Sequence, residues 1–351
     1  MQNPFTTTFS KIPDNSYIPT SQAEEIIENF RYDNPSESVY KITGVRGSGK
    51  TVLLAKIEGE FNSESNKKAG WLVCRISPAR DMLQQLASFL VKEGFTTEKK
   101  KSSVSVSAGL LNKAGSIGIS TTGKEDYSDV GVDIDEMLKK LRKKGKKVLI
   151  GIDEVSKTDE MVVFASEYGK WLRENYPIYM VCTGLYENIE QLSNVKNLTF
   201  FRRATTIMTE PLNVIRMTEM YRAKLGLDTS KAKKLAESTK GYAYAFQELG
   251  VICFKSQGLE VEDAIEELKT ELYAYSYEKI WEELSEGDKK LARELTDKLE
   301  YKREEVLPKL DSPSNYSVYR DRLKRRGIVR VRQGYISLAL PFFADYIKEY
   351  C

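Results

Sequence analysis

Residues Tyr40 to Leu54 read YKITGVRGSGKTVLL. A short apolar run, Val39–Thr43, leads into a glycine-rich loop, and a helix-forming run, TVLLAKIEGEF, follows it. Gly44 to Thr51, GVRGSGKT, match GxxxxGK[ST] without departure. The spacing has a physical reason. Glycines let the backbone turn tightly so that successive N–H groups converge on phosphate oxygens. The loop then opens a helix whose positive N-terminus faces the same anion. In this reading Gly44, Val45, Arg46, Gly47, Ser48 and Gly49 cradle phosphates. Lys50 adds a point charge to the β- and γ-phosphates, and the Thr51 hydroxyl ligates Mg2+. A chance glycine-rich turn is the alternative, and the flanking strand and helix patterns oppose it.

A second element lies downstream. Lys146 to Glu154, KKVLIGIDE, is an apolar strand ending in two carboxylates. Asp153 would hold Mg2+, and Glu154 would orient and polarise an attacking water. Many strands end in polar residues, but behind a complete phosphate loop the adjacent acids point to ATP hydrolysis. A third strand, Tyr179 to Gly184, ends in Thr183, which neighbouring strands would bring beside Glu154. A threonine that only caps the next turn fits the same residues.

The remaining organisation agrees with a parallel sheet. Strands are expected at Val39–Thr43, Trp71–Ile76, Val148–Asp153, Ile178–Thr183 and Thr205–Met208, alternating with helical patterns. Ser21 reads as the N-cap of a helix over Ala23–Phe30, with Glu24 completing a capping box. Pro211 marks a change to helical patterns alone: Asn213–Leu225, Ser230–Ser238, Tyr244–Lys255 and Val261–Leu284, punctuated by Gly226, Gly241 and Gly258. From about Glu286 come helices at Gly287–Lys298, Arg303–Leu310 and Tyr316–Arg326, then IVRVRQGYISLAL, two β-like runs joined at Gln333-Gly334. That order is a winged helix-turn-helix. The expected division is an α/β nucleotide domain over 1–210, a helical lid over 211–284 and a winged-helix domain over 285–351. Glu98–Gly131 reads as an inserted β-hairpin: Lys99, Lys100 and Lys101, then Val104, Val106, Ile117 and Ile119 alternating around a turn at Asn112–Gly115.

Bulk properties remove several function classes. The 351 residues suffice for two or three domains, with 41% hydrophobic and 30% charged residues. Net charge is +3, so nucleic-acid affinity would need a local patch. There is no histidine, which excludes His-based triads and His-ligated metals. The four cysteines, Cys74, Cys182, Cys253 and Cys351, lack CxxC spacing and suit a reducing cytoplasm. No signal peptide and no membrane span is expected.

Together these motifs resemble an AAA+ ATPase of the additional-strand type, in the initiator-like group related to origin-recognition proteins and STAND NTPases. More closely, the chain resembles a family of bacterial or archaeal ATP-binding proteins with a C-terminal winged helix. Asn3-Pro4-Phe5 and Ile12-Pro13 carry that likeness at one end; Tyr316, Tyr319-Arg320, Leu323 and Ala339-Leu340-Pro341 carry it at the other. The resemblance implies that Thr183 is sensor 1 and that Arg202 or Arg203 is an arginine finger reaching a neighbour's γ-phosphate in a homo-oligomer. A solvated strand edge accounts for the two arginines equally well. Two departures stand out. Gly241 to Phe246, GYAYAF, has neither the sensor-2 arginine of initiators nor the proline of STAND proteins, which implies slow hydrolysis or a need for an arginine from a neighbour. Pro19 to Gln22 replaces the Gly-Arg of relatives, leaving Ile18 and Pro19 to cover the base.

The third C-terminal helix and the hairpin are basic: Arg320, Arg322, Lys324, Arg325, Arg326, Arg330 and Arg332 stand against Asp321 alone. Ser314, Asn315, Tyr316 and Ser317 open the helix that would enter a major groove of double-stranded DNA. A solvated face, or docking on protein, competes with that reading. The inserted hairpin admits DNA contact, a partner-binding edge or a passive surface role. The resulting expectation is an ATP-dependent switch on DNA. Its rivals are a STAND-like signalling ATPase whose winged helix contacts protein, and a nucleotide-stabilised scaffold.

Overall fold

A computed structural model describes residues 2–8, 12–97, 129–256, 258–310 and 312–351. The apolar runs become five parallel strands: β1 (Val39–Thr43), β2 (Trp71–Ile76), β3 (Lys147–Ile152), β4 (Ile178–Gly184) and β5 (Thr205–Met208), in the order β2-β3-β4-β1-β5. Burial explains their composition. All of β1 and β4 is buried, as parallel strands covered on both faces must be, while the edge strands β2 and β5 are partly exposed. On one face, helices Ser21–Arg31 and Lys50–Phe61 pack through an aromatic cluster of Phe30, Tyr40, Phe61, Trp71 and Tyr179, with Phe61 and Trp71 4.3 Å apart. On the other, Met82–Lys92, Val130–Lys143 and Asp159–Arg173 cover the sheet.

The register places the chemistry. Ile152 on β3 pairs with Cys182 on β4, so Asp153 and Thr183 follow side by side. Thr43 on β1 pairs with Gly184, which brings the loop at Gly44 to the same end of the sheet.

Beyond β5, helices Val214–Leu225, Thr229–Ser238, Ala243–Lys255 and Val261–Leu272 pack together. The helix expected over Val261–Leu284 is interrupted: Tyr273–Tyr277 form a π-helical turn before Glu278–Glu282. Tyr277 is buried there, its hydroxyl donating to the Pro341 carbonyl and its ring meeting Phe343 at 5.0 Å. The capping box expected at Ser21 and Glu24 is absent. The helix starts at Ser21 itself, with extended Thr20 as N-cap and no side-chain cap bond.

At the C-terminal end, helix Glu286–Arg293 is followed by Arg303–Val306, running into a 3-10 turn over Leu307–Lys309, and then by Tyr316–Arg326. β7 (Val329–Arg332) and β8 (Tyr335–Leu338) form an antiparallel hairpin, and β6 (Tyr301–Lys302) pairs with β8. The hairpin turns at Gln333 and Gly334, with φ of 52° and 84°. Residues 98–128 of the expected inserted hairpin lie outside the described residues, and Val130 and Gly131 belong to the following helix. No helix among the described residues is long and apolar enough to cross a membrane.

Candidate nucleotide site

The loop at Gly44–Gly49 connects β1 to helix Lys50–Phe61 over a cavity of about 550 Å³. Its glycines are sterically required. At Gly47, with φ of 70°, a Cβ would fall 2.4 Å from the Tyr242 hydroxyl oxygen. At Gly44 it would fall 2.0 Å from Thr209 Oγ1, and that same hydroxyl lies 2.8 Å from Ser48 Oγ. Lys50 Nζ folds against its own loop, donating to the carbonyls of Gly44 and Val45 at 3.0 Å each. Burial pulls its pKa down to about 8, against the opposing pull of Asp153.

A side-chain network joins the motifs. Thr51 Oγ1 donates to Asp153 Oδ2 at 2.9 Å. The Thr183 hydroxyl donates to the other Asp153 oxygen and accepts from the backbone N–H of Glu154 at 3.1 Å. Thr183 thus fixes the strand end from which Glu154 projects. Glu154 is exposed, lines the cavity and has φ of 57°, a left-handed conformation that costs a non-glycine residue about 1–3 kcal/mol. Such an outlier, beside a phosphate-loop cavity, marks an enforced placement of its carboxylate.

Ile18 is buried and lines the cavity. Pro19 does not: it is exposed, its carbonyl accepting from Arg216 Nη1 at 3.1 Å, and Pro13, Ser16 and Tyr17 form that wall instead. Val45 and Arg46 face the C-terminal unit. Val45 packs beside Gly327, and Arg46 pairs with Glu283 at 2.6 Å.

Helix Ala243–Lys255 and its N-cap Tyr242 meet the loop. Tyr244 N–H donates to the Gly47 carbonyl at 3.0 Å, and Tyr242 Oη donates to the Arg46 carbonyl at 2.6 Å while sharing a bond of 2.8 Å with Ser276 Oγ. Sequence reading missed this clamp, since only an aromatic at the start of the lid helix signals it.

Arg202 and Arg203 stand exposed on helix Thr199–Arg203, outside the cavity lining, and Arg202 donates to Asn194 Oδ1 at 3.1 Å. Buried Lys41 on β1 anchors that helix, its Nζ donating to the Phe201 carbonyl at 2.7 Å.

The basic C-terminal residues divide. Ser314, Asn315, Lys324 and Arg332 are exposed. Tyr316 is buried under the guanidinium groups of Arg303 and Arg320, so the groove contact expected of it is not open to it in this fold. Arg320 pairs with Asp321 at 2.7 Å. Arg325 Nη1 donates to Tyr186 Oη and Arg330 Nη2 to the Lys240 carbonyl, each at 2.8 Å, while Arg326 pairs with Glu187. Arg322 pairs with buried Asp288 at 2.7 Å.

No protein-family model and no curated protein matches the sequence. Solved structures do. The Walker-type ATPase of Pyrococcus abyssi aligns over 98% of this chain and 99% of its own, at 13% identity and a TM-score of 0.63. The chain has the fold of that ATPase. The ORC2 protein of Aeropyrum pernix, solved as ADPNP and ADP complexes, aligns over 95% of both chains at 13% identity and a TM-score of 0.54. At such identity the likeness is one of fold: a parallel five-stranded sheet with flanking helices and a helical C-terminal half.

Proposed function

We propose that this chain is an AAA+ ATPase of the initiator-like group, a nucleotide switch that acts on double-stranded DNA through a C-terminal winged helix. The observation that carries the ATPase reading is the network joining Thr51, Asp153, Thr183 and Glu154 at the phosphate loop. The loop N–H groups and Lys50 would bind the phosphates, Lys50 turning from its carbonyl partners to the β- and γ-oxygens. Thr51 and Asp153, a hydroxyl and a carboxylate, are the hard oxygen donors that suit Mg2+ and would hold it. When bound, that ion neutralises phosphate charge. Glu154 would orient the attacking water, and Thr183 holds it in place. Arg202 or Arg203 would act on a neighbour's nucleotide, since both stand outside the cavity of their own chain. Without a cationic sensor 2 in the lid, turnover is slow.

The DNA surface comprises Ser314, Asn315, Ser317, Lys324 and Arg332, all exposed on or beside one helix and hairpin. One observation favours the STAND-like alternative: Arg325, Arg326 and Arg330 are engaged within the chain, as in a winged helix that docks on its own ATPase unit. Duplex binding measured with ATP across a salt series tests the choice. The wild type should bind with steep salt dependence, and replacing Lys324 and Arg332 with Ala should lower the log–log slope by about 2. Absence of salt-sensitive duplex binding by the wild type would give the signalling reading precedence.

A further inference from the structure

Thr6–Thr8 and Ser16–Ile18 of the N-terminal segment line the cavity, and Gln247 and a pocket for Phe5 fasten that segment to the lid. Gln247, on helix Ala243–Lys255, makes three bonds to the segment. Its Oε1 accepts from the Thr6 N–H at 3.1 Å and from Ser16 Oγ at 3.0 Å, and its Nε2 donates to the Ser16 carbonyl at 3.3 Å. Ser16 is fully buried, and its hydroxyl also lies 2.9 Å from the Pro4 carbonyl. One turn along the same helix, Gly250 leaves space for the Phe5 ring, which packs with its centroid 5.7 Å from Tyr221 and 5.8 Å from Phe246. A glycine inside a helix is unfavourable by about 1 kcal/mol against alanine. Here it seats an aromatic plug that holds the segment down.

Residues 46–51 line this cavity, and so do Thr6, Pro13, Ser16, Tyr17, Ile18 and Gln247. Helix Ala243–Lys255 meets the loop at Tyr244, whose N–H donates to the Gly47 carbonyl, and Gln247 follows one turn later. A nucleotide anchored by its phosphates at the loop has its nucleoside half left to meet the fastened segment. We propose that Gln247 is a positioning residue for the nucleoside half of the ligand, locking the N-terminal segment to the lid so that the two form one wall. This inference rests on the nucleotide reading above.

Its signature is selective. Gln247→Ala should weaken ATP binding about tenfold or more, as loss of these bonds frees the wall. It should leave the affinity for inorganic tripolyphosphate within about twofold, because the phosphate loop is untouched. Gln247→Glu keeps the acceptor facing Thr6 and Ser16 but loses the donor, and should fall between wild type and Gln247→Ala. Titration of the full chain with ATP and with tripolyphosphate measures both. Unchanged ATP affinity in both variants, or an equal fall for both ligands, would overturn the inference and leave the nucleotide reading standing. A wild type that binds neither ligand would overturn the nucleotide reading, and this inference with it.

Discussion

Lys50 shows how much a single residue can report. Its half-buried ammonium folds against its own loop carbonyls, and desolvation there lowers its pKa to about 8. A bound triphosphate would raise that value by placing negative charge beside it. Above pH 8 the complex then holds more protons than the free protein, so rising pH weakens binding. The expected slope approaches about tenfold in affinity per pH unit above pH 8, and is flat below it. Equilibrium titration between pH 7 and 9.5 measures it, and a Lys50→Ala variant should not bind at any pH. At this scale the sequence was most legible where chemistry demands contiguity. GVRGSGKT and the paired acids announce themselves because a phosphate loop needs its glycines, lysine and hydroxyl in one short run. Tyr242 and Gln247 gave no such signal: their partners lie 196 and 231 residues away in the chain.

Among the elements, the strands were readable because burial on both faces writes a continuous apolar run. Helix ends were less so. The Ser21 capping box failed because the helix begins one residue earlier than that cap requires. The interruption at Tyr273–Tyr277 left no mark, since a π-helical turn needs neither glycine nor proline and keeps the apolar pattern running. Its reason is tertiary: it seats Tyr277 against Phe343 and Pro341. Gly250 is the converse case, a helix glycine whose role depends on a ring from the other end of the chain. In Gly250→Ala the new Cβ would lie 2.3 Å from the Phe5 ring. Overpacking costs about 1–3 kcal/mol and outweighs the gain in helix propensity. The expected result is a net loss of up to about 2 kcal/mol, read as a lower denaturation midpoint, with Phe5 exposed to proteolysis earlier than in wild type.

For the whole molecule, the loop that would hold phosphate also belongs to the surface that receives the C-terminal unit. Val45 shares one apolar cluster with the lid, Ile328 and Leu340. Arg46 reaches Glu283, and helix Tyr186–Ser193, just after Thr183, receives Arg325 and Arg326. Each contact sits within a few residues of a group expected to touch nucleotide, which is how a change at the γ-phosphate would alter the presentation of the C-terminal helix and hairpin. The sequence announced a basic helix and hairpin but could not say which arginines are engaged within the chain. Pairing now separates Lys324 and Arg332 from Arg322, Arg325 and Arg330. The account turns on ATP being hydrolysed at this site with Glu154 acting on the water. Phosphate release and ATP affinity, measured together for wild type and Glu154→Gln, test it most directly. The expected result is slow turnover in the wild type, and at least a hundredfold loss in Glu154→Gln, on the order expected for losing a general base, with affinity unchanged. Equal turnover in the two proteins would contradict it.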